Sequence, residues 1–115
     1  MEVKINIQDN IATIAVKGSI DSKTSGEFST QIMDRISSTD HVLLDFSDVD
    51  FVSSAGLRVL LMIYRQIKSK NGKVVLVGLL DEIKDVMSMT GFINFFEIAD
   101  SVDVALKNYF SNERV

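Results

Sequence analysis

The alternation of strand-like and helix-like segments predicts a single α/β domain, residues 1–115, built on a mixed β-sheet. The chain has 115 residues, a length typical of one domain. Residues 3–16 carry two runs rich in β-branched side chains, joined by Asp9 and Asn10, which predicts an antiparallel hairpin. After the hairpin, segments with helical spacing alternate with short apolar runs. That order requires a largely parallel sheet covered by helices, and the hairpin makes the sheet mixed.

The first half of the chain predicts three strands and one helix. The hairpin strands end at residues 18–21, which read GSID. A helix follows over residues 22–38, where Asp21 or Ser22 can cap the first turn. Its apolar positions recur at helical spacing, namely Phe28, Ile32, Met33 and Ile36. Residues 41–46 then form a short apolar run that predicts a strand buried on both faces, followed by a loop that contains Asp48 and Asp50.

The second half predicts three helices separated by two strands. Residues 51–58 lead into a helix that ends near Lys70, where Asn71 and Gly72 provide a left-handed cap. The remaining predicted elements are a strand at residues 73–77, a helix at 81–90 stopped by Gly91, a strand at 95–99 and a C-terminal helix from 100–103 through Phe110. The complete order is β-β-α-β-α-β-α-β-α.

Composition excludes several classes of function. The chain has no cysteine and one histidine, which excludes disulfides, thiolate metal sites, cysteine nucleophiles and multi-histidine metal sites. The net charge of −4 argues against nucleic-acid binding, because no basic stripe can neutralise phosphates. No apolar run approaches the ~20 residues that span a bilayer, and the N-terminus does not resemble a signal peptide. We therefore expect a cytoplasmic protein that does not insert into membranes.

No pattern in the sequence indicates an enzyme or a bound cofactor. The chain lacks the glycine-rich phosphate loop, the dinucleotide fingerprint and the nucleophile elbow. His41 stands at the entry of a predicted strand, where an ordinary strand-edge residue is the simpler interpretation. Asp45, Asp48 and Asp50 could bind Mg²⁺, but a solvated acidic loop is the simpler explanation. We expect no catalytic residue, no cofactor and no metal.

The informative segment is residues 51–58, which read FVSSAGLR. A serine at a helix N-terminus caps free N–H groups, and this structural role alone could explain the segment. Two serines exceed what one cap requires, so a spare hydroxyl would be exposed. A phosphoryl group placed there would meet the positive end of the helix dipole. Its charge of roughly −1.5 to −2 would join Asp48, Asp50 and Asp21 in one acidic patch, so the site could switch binding.

The helix after the serines could present an interface. Its predicted core face consists of Leu57, Leu60, Leu61, Tyr64 and Ile67. Val59 and Met62 fall on another face, flanked by Arg58 and Arg65, and would form a small apolar strip beside the serines. Such a strip suits a protein partner. The alternative is that neighbouring helices cover Val59 and Met62.

Three segments in the expected order resemble STAS domains, specifically bacterial anti-sigma factor antagonists. They are residues 51–58, residues 18–21, and residues 87–92, which read MSMTGF. The resemblance implies a mixed sheet with about four helices packed mainly on one side, and no enzymatic activity. It places the phosphoacceptor on Ser54, with Ser53 as the second candidate. Together with the apolar strip on the following helix, it gives the candidate partner contacts Asp21, Ser53, Ser54, Arg58, Val59 and Met62.

The resemblance implies partner switching. The unmodified antagonist, a monomer when free, would bind an anti-sigma factor of the ATP-dependent serine kinase type and so free a sigma factor. The kinase would then phosphorylate the antagonist and end the complex, and a PP2C-type phosphatase would restore it. The chain departs from the family pattern at Ser53, where many members carry Asp, and at Ala55 and Arg58. Two alternatives are a scaffold or accessory STAS subunit without a phosphoswitch, and direct nucleotide binding.

Overall fold

The computed structural model describes residues 1–110, so the last five residues of the predicted domain 1–115 lie outside it. Its strands are β1 (Glu2–Gln8), β2 (Ile11–Ile20), β3 (His41–Val52), β4 (Val74–Val77) and β5 (Glu97–Ala99). Its helices are α1 (Ser25–Ile36), α2 (Ser54–Lys68), α3 (Asp81–Thr90) and α4 (Val102–Ala105). A 3₁₀ turn, Phe92–Phe95, follows α3, and a π-helical turn, Leu106–Phe110, extends α4. This order matches the predicted one.

The five strands form one mixed sheet in the order β1-β2-β3-β4-β5. β1 and β2 pair antiparallel through a two-residue turn, in which Asp9 and Asn10 both have positive φ, at 54° and 67°. Such a turn twists in the same sense as the strands it joins. The other three pairings are parallel. The predicted fold class is therefore confirmed.

The helices divide unequally between the two faces of the sheet. Alternate residues of β3 point to opposite faces. Leu44 and Phe46 belong to the larger apolar cluster, into which α1, α2 and α3 pack. Leu43 belongs to a smaller cluster on the other face, which is covered by Ala105 and Phe110. Three helices thus cover one face, while α4 and its π-helical turn cover part of the other.

Three predicted boundaries were wrong. β5 begins at Glu97 and not at residue 95, because Phe92–Phe95 form a 3₁₀ turn. The stretch with Asp48 and Asp50 is not a loop, because β3 continues to Val52 and pairs with β2 over its whole second half. Two register irregularities, after Ala15 and after Gly18 of β2, add residues to β3. These extra residues interrupt the alternation of apolar and polar side chains by which a strand is recognised. α1 begins at Ser25 and not near Ser22, because a turn anchored by Asp21 occupies the residues between β2 and the helix.

Candidate functional site

The two serines at the start of α2 have different structural roles. Ser53 is the N-cap residue: it is extended, and its Oγ accepts a hydrogen bond from the Gly56 N–H at 3.3 Å. Its own N–H donates to the carbonyl oxygen of Ile20 at 2.8 Å. Ser53 is half-buried, so its hydroxyl is already used to begin the helix.

Ser54 is the first residue of α2, and its side chain is exposed. Within residues 1–110, its hydroxyl has no hydrogen-bond partner. It lies at the helix end where N–H groups lack intrahelical acceptors and the helix dipole is positive. Of the two serines, Ser54 is therefore the one that can react with an external group without the loss of a structural contact.

Gly56 allows the start of α2 to lie directly on the sheet. A methyl group at Gly56 would lie 2.8 Å from Cγ1 of Val52, 2.9 Å from Cγ2 of Ile20 and 2.9 Å from the Ile20 carbonyl oxygen. These separations are too short for any larger residue without a shift of backbone. Gly56 and the bond between Ser53 and Ile20 together hold the serine pair against the end of β2.

Asp21 lies next to this contact, at the turn between β2 and α1. Its Oδ1 accepts hydrogen bonds from the N–H groups of Lys23 and Thr24, at 2.9 and 3.1 Å. These bonds, the one from Lys23 first, lower the pKa of Asp21 below its ordinary value of 3.8. Asp21 therefore carries a negative charge at neutral pH, one residue beyond the Ile20 carbonyl that binds Ser53.

Of the three carboxylates predicted to form one acidic patch, the structure brings two together. Asp50 lies at the second irregularity of β3, where its Oδ1 accepts a hydrogen bond from the Ser19 hydroxyl at 2.8 Å. This bond ties Asp50 to the end of β2, beside Asp21. Asp48 instead lies opposite Lys17 in the strand register, and it lines a separate groove with Glu2 and Lys4. The expectation that Asp48 joins the patch was wrong, because it depended on a loop that does not exist.

The predicted apolar strip on α2 was wrong in one of its two members. Val59 is only 6% exposed and belongs to the main core, whereas Met62 is 45% exposed. Arg58 is exposed beside the serine pair. The core face of α2 lies about one residue away from the predicted one, since Ile63 is fully buried and Tyr64 only partly. α2 packs against β3 and β4 of the sheet and against α1 as well, which widens its buried face to include Val59.

A protein-family model described as the STAS domain matches residues 2–105. The chain belongs to the STAS domain family. This membership confirms the resemblance read from residues 18–21, 51–58 and 87–92. In this STAS domain Ser53 and Ser54 lie at the start of α2, beside the carboxyl ends of β2 and β3.

A relative matches this chain in sequence, and solved structures share its fold. The BtrV protein of Bordetella bronchiseptica, whose name describes an anti-sigma factor antagonist, is 26% identical over 106 residues, or 91% of either chain. A crystal structure of an anti-sigma factor antagonist from Thermotoga maritima matches with a TM-score of 0.85 and 21% identity, and covers 91% of this chain and 92% of that one. The Bacillus cell fate determinant SpoIIAA in its phosphorylated form matches at 0.73 and 16%, over 92% and 97% of the two chains.

The STAS fold also occurs inside a membrane transporter. The murine solute carrier 26 anion transporter matches with a TM-score of 0.74 and 16% identity, and the match covers 85% of this chain but 17% of the transporter. None of the helices described for residues 1–110 has the length and apolarity needed to cross a bilayer. The same residues contain no cluster of three or more acidic or imidazole side chains suited to a metal ion. His41 serves the fold, since its Nδ1 accepts a hydrogen bond from the Lys73 N–H at 3.1 Å.

Proposed function

We propose that this STAS domain is a cytoplasmic anti-sigma factor antagonist controlled by phosphorylation of Ser54. The unphosphorylated protein binds an anti-sigma factor of the ATP-dependent serine kinase type and releases it when phosphorylated. A PP2C-type phosphatase reverses the modification. The names of its relatives support the class of partner. The observation that carries the choice of residue is the exposed hydroxyl of Ser54, which has no hydrogen-bond partner among residues 1–110, whereas Ser53 already caps the helix.

The phosphorylation step needs only an accessible hydroxyl on this chain. The Ser54 oxygen attacks the γ-phosphorus of ATP, the bond from that phosphorus to the bridging oxygen breaks, and ADP leaves. The hydroxyl proton passes to a base that the kinase supplies. Ser53 is half-buried and its Oγ already accepts a hydrogen bond from the Gly56 N–H, so its hydroxyl is less accessible to a kinase than that of Ser54. Ser54 is therefore the preferred acceptor.

The modification changes surface charge and leaves the fold in place. The phosphoryl group adds a charge of about −1.5 to −2 at neutral pH. The N-terminus of α2 stabilises this charge through its dipole and its free N–H groups. A partner surface packed against the Ser54 hydroxyl has no space for the added group and would have to remove its hydration shell, which is costly for a doubly charged group. The phosphorylated protein thus remains folded but loses its partner.

Replacing Ser54 tests the proposal. Ser54→Ala and Ser54→Asp are used as baits in a lysate of the source organism, retained proteins are identified by mass spectrometry, and a retained kinase is then purified. We expect Ser54→Ala to bind that kinase and to incorporate no phosphate from ATP. We expect Ser54→Asp to bind at least tenfold more weakly, with an unfolding midpoint close to that of the unmodified chain.

Ser53→Ala is the matched control, because it alters the neighbouring hydroxyl and leaves Ser54 in place. It should be phosphorylated, with a modest loss of stability from the missing cap. Phosphate on Ser54→Ala would move the acceptor to Ser53. Equal binding of one kinase by Ser54→Ala and Ser54→Asp would contradict the switch.

A second candidate function is a scaffold or accessory STAS subunit of a transport or signalling complex. The occurrence of this fold in an anion transporter favours it. In that case the serines are a helix cap only, and both Ser54 variants would retain the same transporter or scaffold subunits. The neighbouring genes would encode transporter subunits and not a kinase and a sigma factor.

A further inference from the structure

A groove lies between the end of β3 and the helices α2 and α3. We call it the α2–α3 groove; it is lined by Asp50, Phe51, Val52, Leu57, Glu82, Ile83, Val86 and Met87. Phe51 and Val86 are 52% and 46% exposed, which is unusual for large apolar side chains on one continuous surface. Sequence reasoning did not find this groove, because its two sides lie about thirty residues apart in the chain.

The size of the groove suits side chains of another protein. Its volume is about 240 Å³. Sites for small molecules usually have about 300–1,000 Å³ and enclose most of the ligand. The α2–α3 groove is smaller and partly open to solvent. One or two large apolar side chains, presented on one face of a partner segment, would fill it.

The charges around the groove select the partner's polar residues. Of the described residues that line it, Asp50 and Glu82 are acidic and none is basic. Asp81 and Asp85 add exposed carboxylates on the first turns of α3. Lysine or arginine residues that flank the apolar anchors would pair with this rim, whereas acidic residues would be repelled.

The groove is continuous with the serine pair. Val52 immediately precedes Ser53, and Leu57 lies one turn after Ser54. Both residues line the groove, so the serines lie between two lining residues in the chain. Asp50 is held by Ser19 at the same edge of the sheet. A partner segment in the groove therefore lies against the start of α2, of which Ser54 is the first residue.

We propose that the α2–α3 groove binds an amphipathic segment of a partner protein that carries apolar anchors flanked by lysine or arginine. The inference rests on the proposed function in one respect, that this partner is the anti-sigma factor that recognises Ser54. The apolar anchors supply affinity through buried area, and the acidic rim fixes the orientation of the segment. A small apolar ligand and a second copy of this chain are the occupants that the test must distinguish.

Two model peptides test the groove without the natural partner. They have the same leucine positions at helical spacing, and one has lysine and the other glutamate at every polar position. Each is titrated into the ¹⁵N-labelled chain. We expect the lysine peptide to shift amide signals of residues 50–57 and 82–87 and to bind at least tenfold more tightly than the glutamate peptide.

Groove variants separate local contact from net charge. Glu82→Lys should weaken lysine-peptide binding about tenfold, and Val86→Ser should weaken binding of either peptide. Asp34→Lys is the matched control: it makes the same charge reversal at an exposed site on α1, a helix that contributes no lining residue to the groove. An equal loss from Asp34→Lys and Glu82→Lys would overturn the proposal, as would shifts spread over the whole surface or self-association at this face.

The purified partner then distinguishes failure of the groove from failure of the proposed function. If both proposals hold, Glu82→Lys and Val86→Ser weaken binding of the unphosphorylated protein at least tenfold, and Ser54→Asp weakens it independently. If only the Ser54 variants have an effect, the groove proposal is overturned and the switch stands. If the groove variants weaken binding while both Ser54 variants bind equally, the groove stands and the phosphoswitch fails.

Discussion

At the scale of single residues, the site depends on contacts that give two adjacent residues different roles. Ser53 and Ser54 are chemically identical, but one hydroxyl accepts a hydrogen bond from Gly56 and the other projects into solvent. Position 56 requires glycine, because the carbonyl of Ile20 leaves no room for a side chain there. Exposure of the Ser54 hydroxyl therefore follows from how closely α2 approaches the sheet.

Gly56→Ala tests this close approach. Alanine favours a helix over glycine by about 1 kcal/mol, but here the added methyl group would overlap Val52 and Ile20. Overpacking of this kind typically costs about 1–3 kcal/mol. We therefore expect a net decrease in the free energy of unfolding, measured by urea denaturation, and altered amide signals at residues 52–57.

Gly26→Ala is the control within the same chain. Gly26 lies in the first turn of α1, and nothing lies within 4 Å of the position of its added methyl group. This variant should be more stable than the unmodified chain by up to about 1 kcal/mol. If both alanine variants were stabilised, Gly56 would not limit the approach of α2.

At the scale of whole elements, Lys70 joins the ends of two helices. It lies just after α2, and its Nζ donates hydrogen bonds to three carbonyl oxygens at the end of α1: Ile36 at 3.0 Å, Ser37 at 3.0 Å and Thr39 at 2.6 Å. Carbonyl groups at a helix C-terminus lack intrahelical donors, and a cation there also opposes the negative end of the helix dipole. Lys70 thereby fixes α1 relative to α2.

Lys70→Met tests the contribution of these bonds, because methionine keeps much of the side-chain length and removes the donor. We expect a loss of about 1–2 kcal/mol in the free energy of unfolding, since hydrogen bonds from a charged group are stronger than neutral ones but water partly replaces them here. Lys68→Met, at an exposed position of α2, should change it by less than about 0.5 kcal/mol. Equal effects of the two variants would mean that Lys70 contributes only charge.

At the scale of the whole molecule, the two faces of the sheet are protected differently. The larger core lies under α1, α2 and α3, and includes Phe28 and Phe46. The smaller one depends on Ala105 and Phe110 at the C-terminal end of the described chain. The Phe110 ring lies 5.2 Å from that of His41, and Lys73 Nζ donates a hydrogen bond to the Tyr109 carbonyl oxygen. Residues 102–110 therefore cover the part of the reverse face formed by β3, β4 and β5.

Phe110→Ala tests this closure. Phe110 is 2% exposed, so its truncation leaves a cavity over β3 and β4, and such changes cost about 3 kcal/mol or more. We expect a loss of that size in urea denaturation with little change at the serine pair, which lies against the other core. Asn108→Ala, at an exposed position of the same turn, should be nearly neutral. A neutral Phe110→Ala would show that the smaller core does not support the fold.

The sequence by itself determined the order of elements, the mixed sheet and the family. These features are local, because alternation, helical spacing and turn residues act over a few positions. Asn71 shows this: its φ of 61° and the bond from the Gly72 N–H to the Ile67 carbonyl end α2 where the dipeptide predicts. The three segments that indicated STAS domains are likewise short, and they could be read without any knowledge of distant contacts.

Only the tertiary structure decided which side chains surround Ser54. Asp50 reaches the site because β3 gains a residue relative to β2, a register shift that no local pattern reveals. Val59 is buried because α2 packs against neighbours on two sides. The α2–α3 groove combines residues 50–57 with residues 82–87. Each outcome depends on packing between segments distant in the chain, and such packing cannot be read from the periodicity of either segment alone.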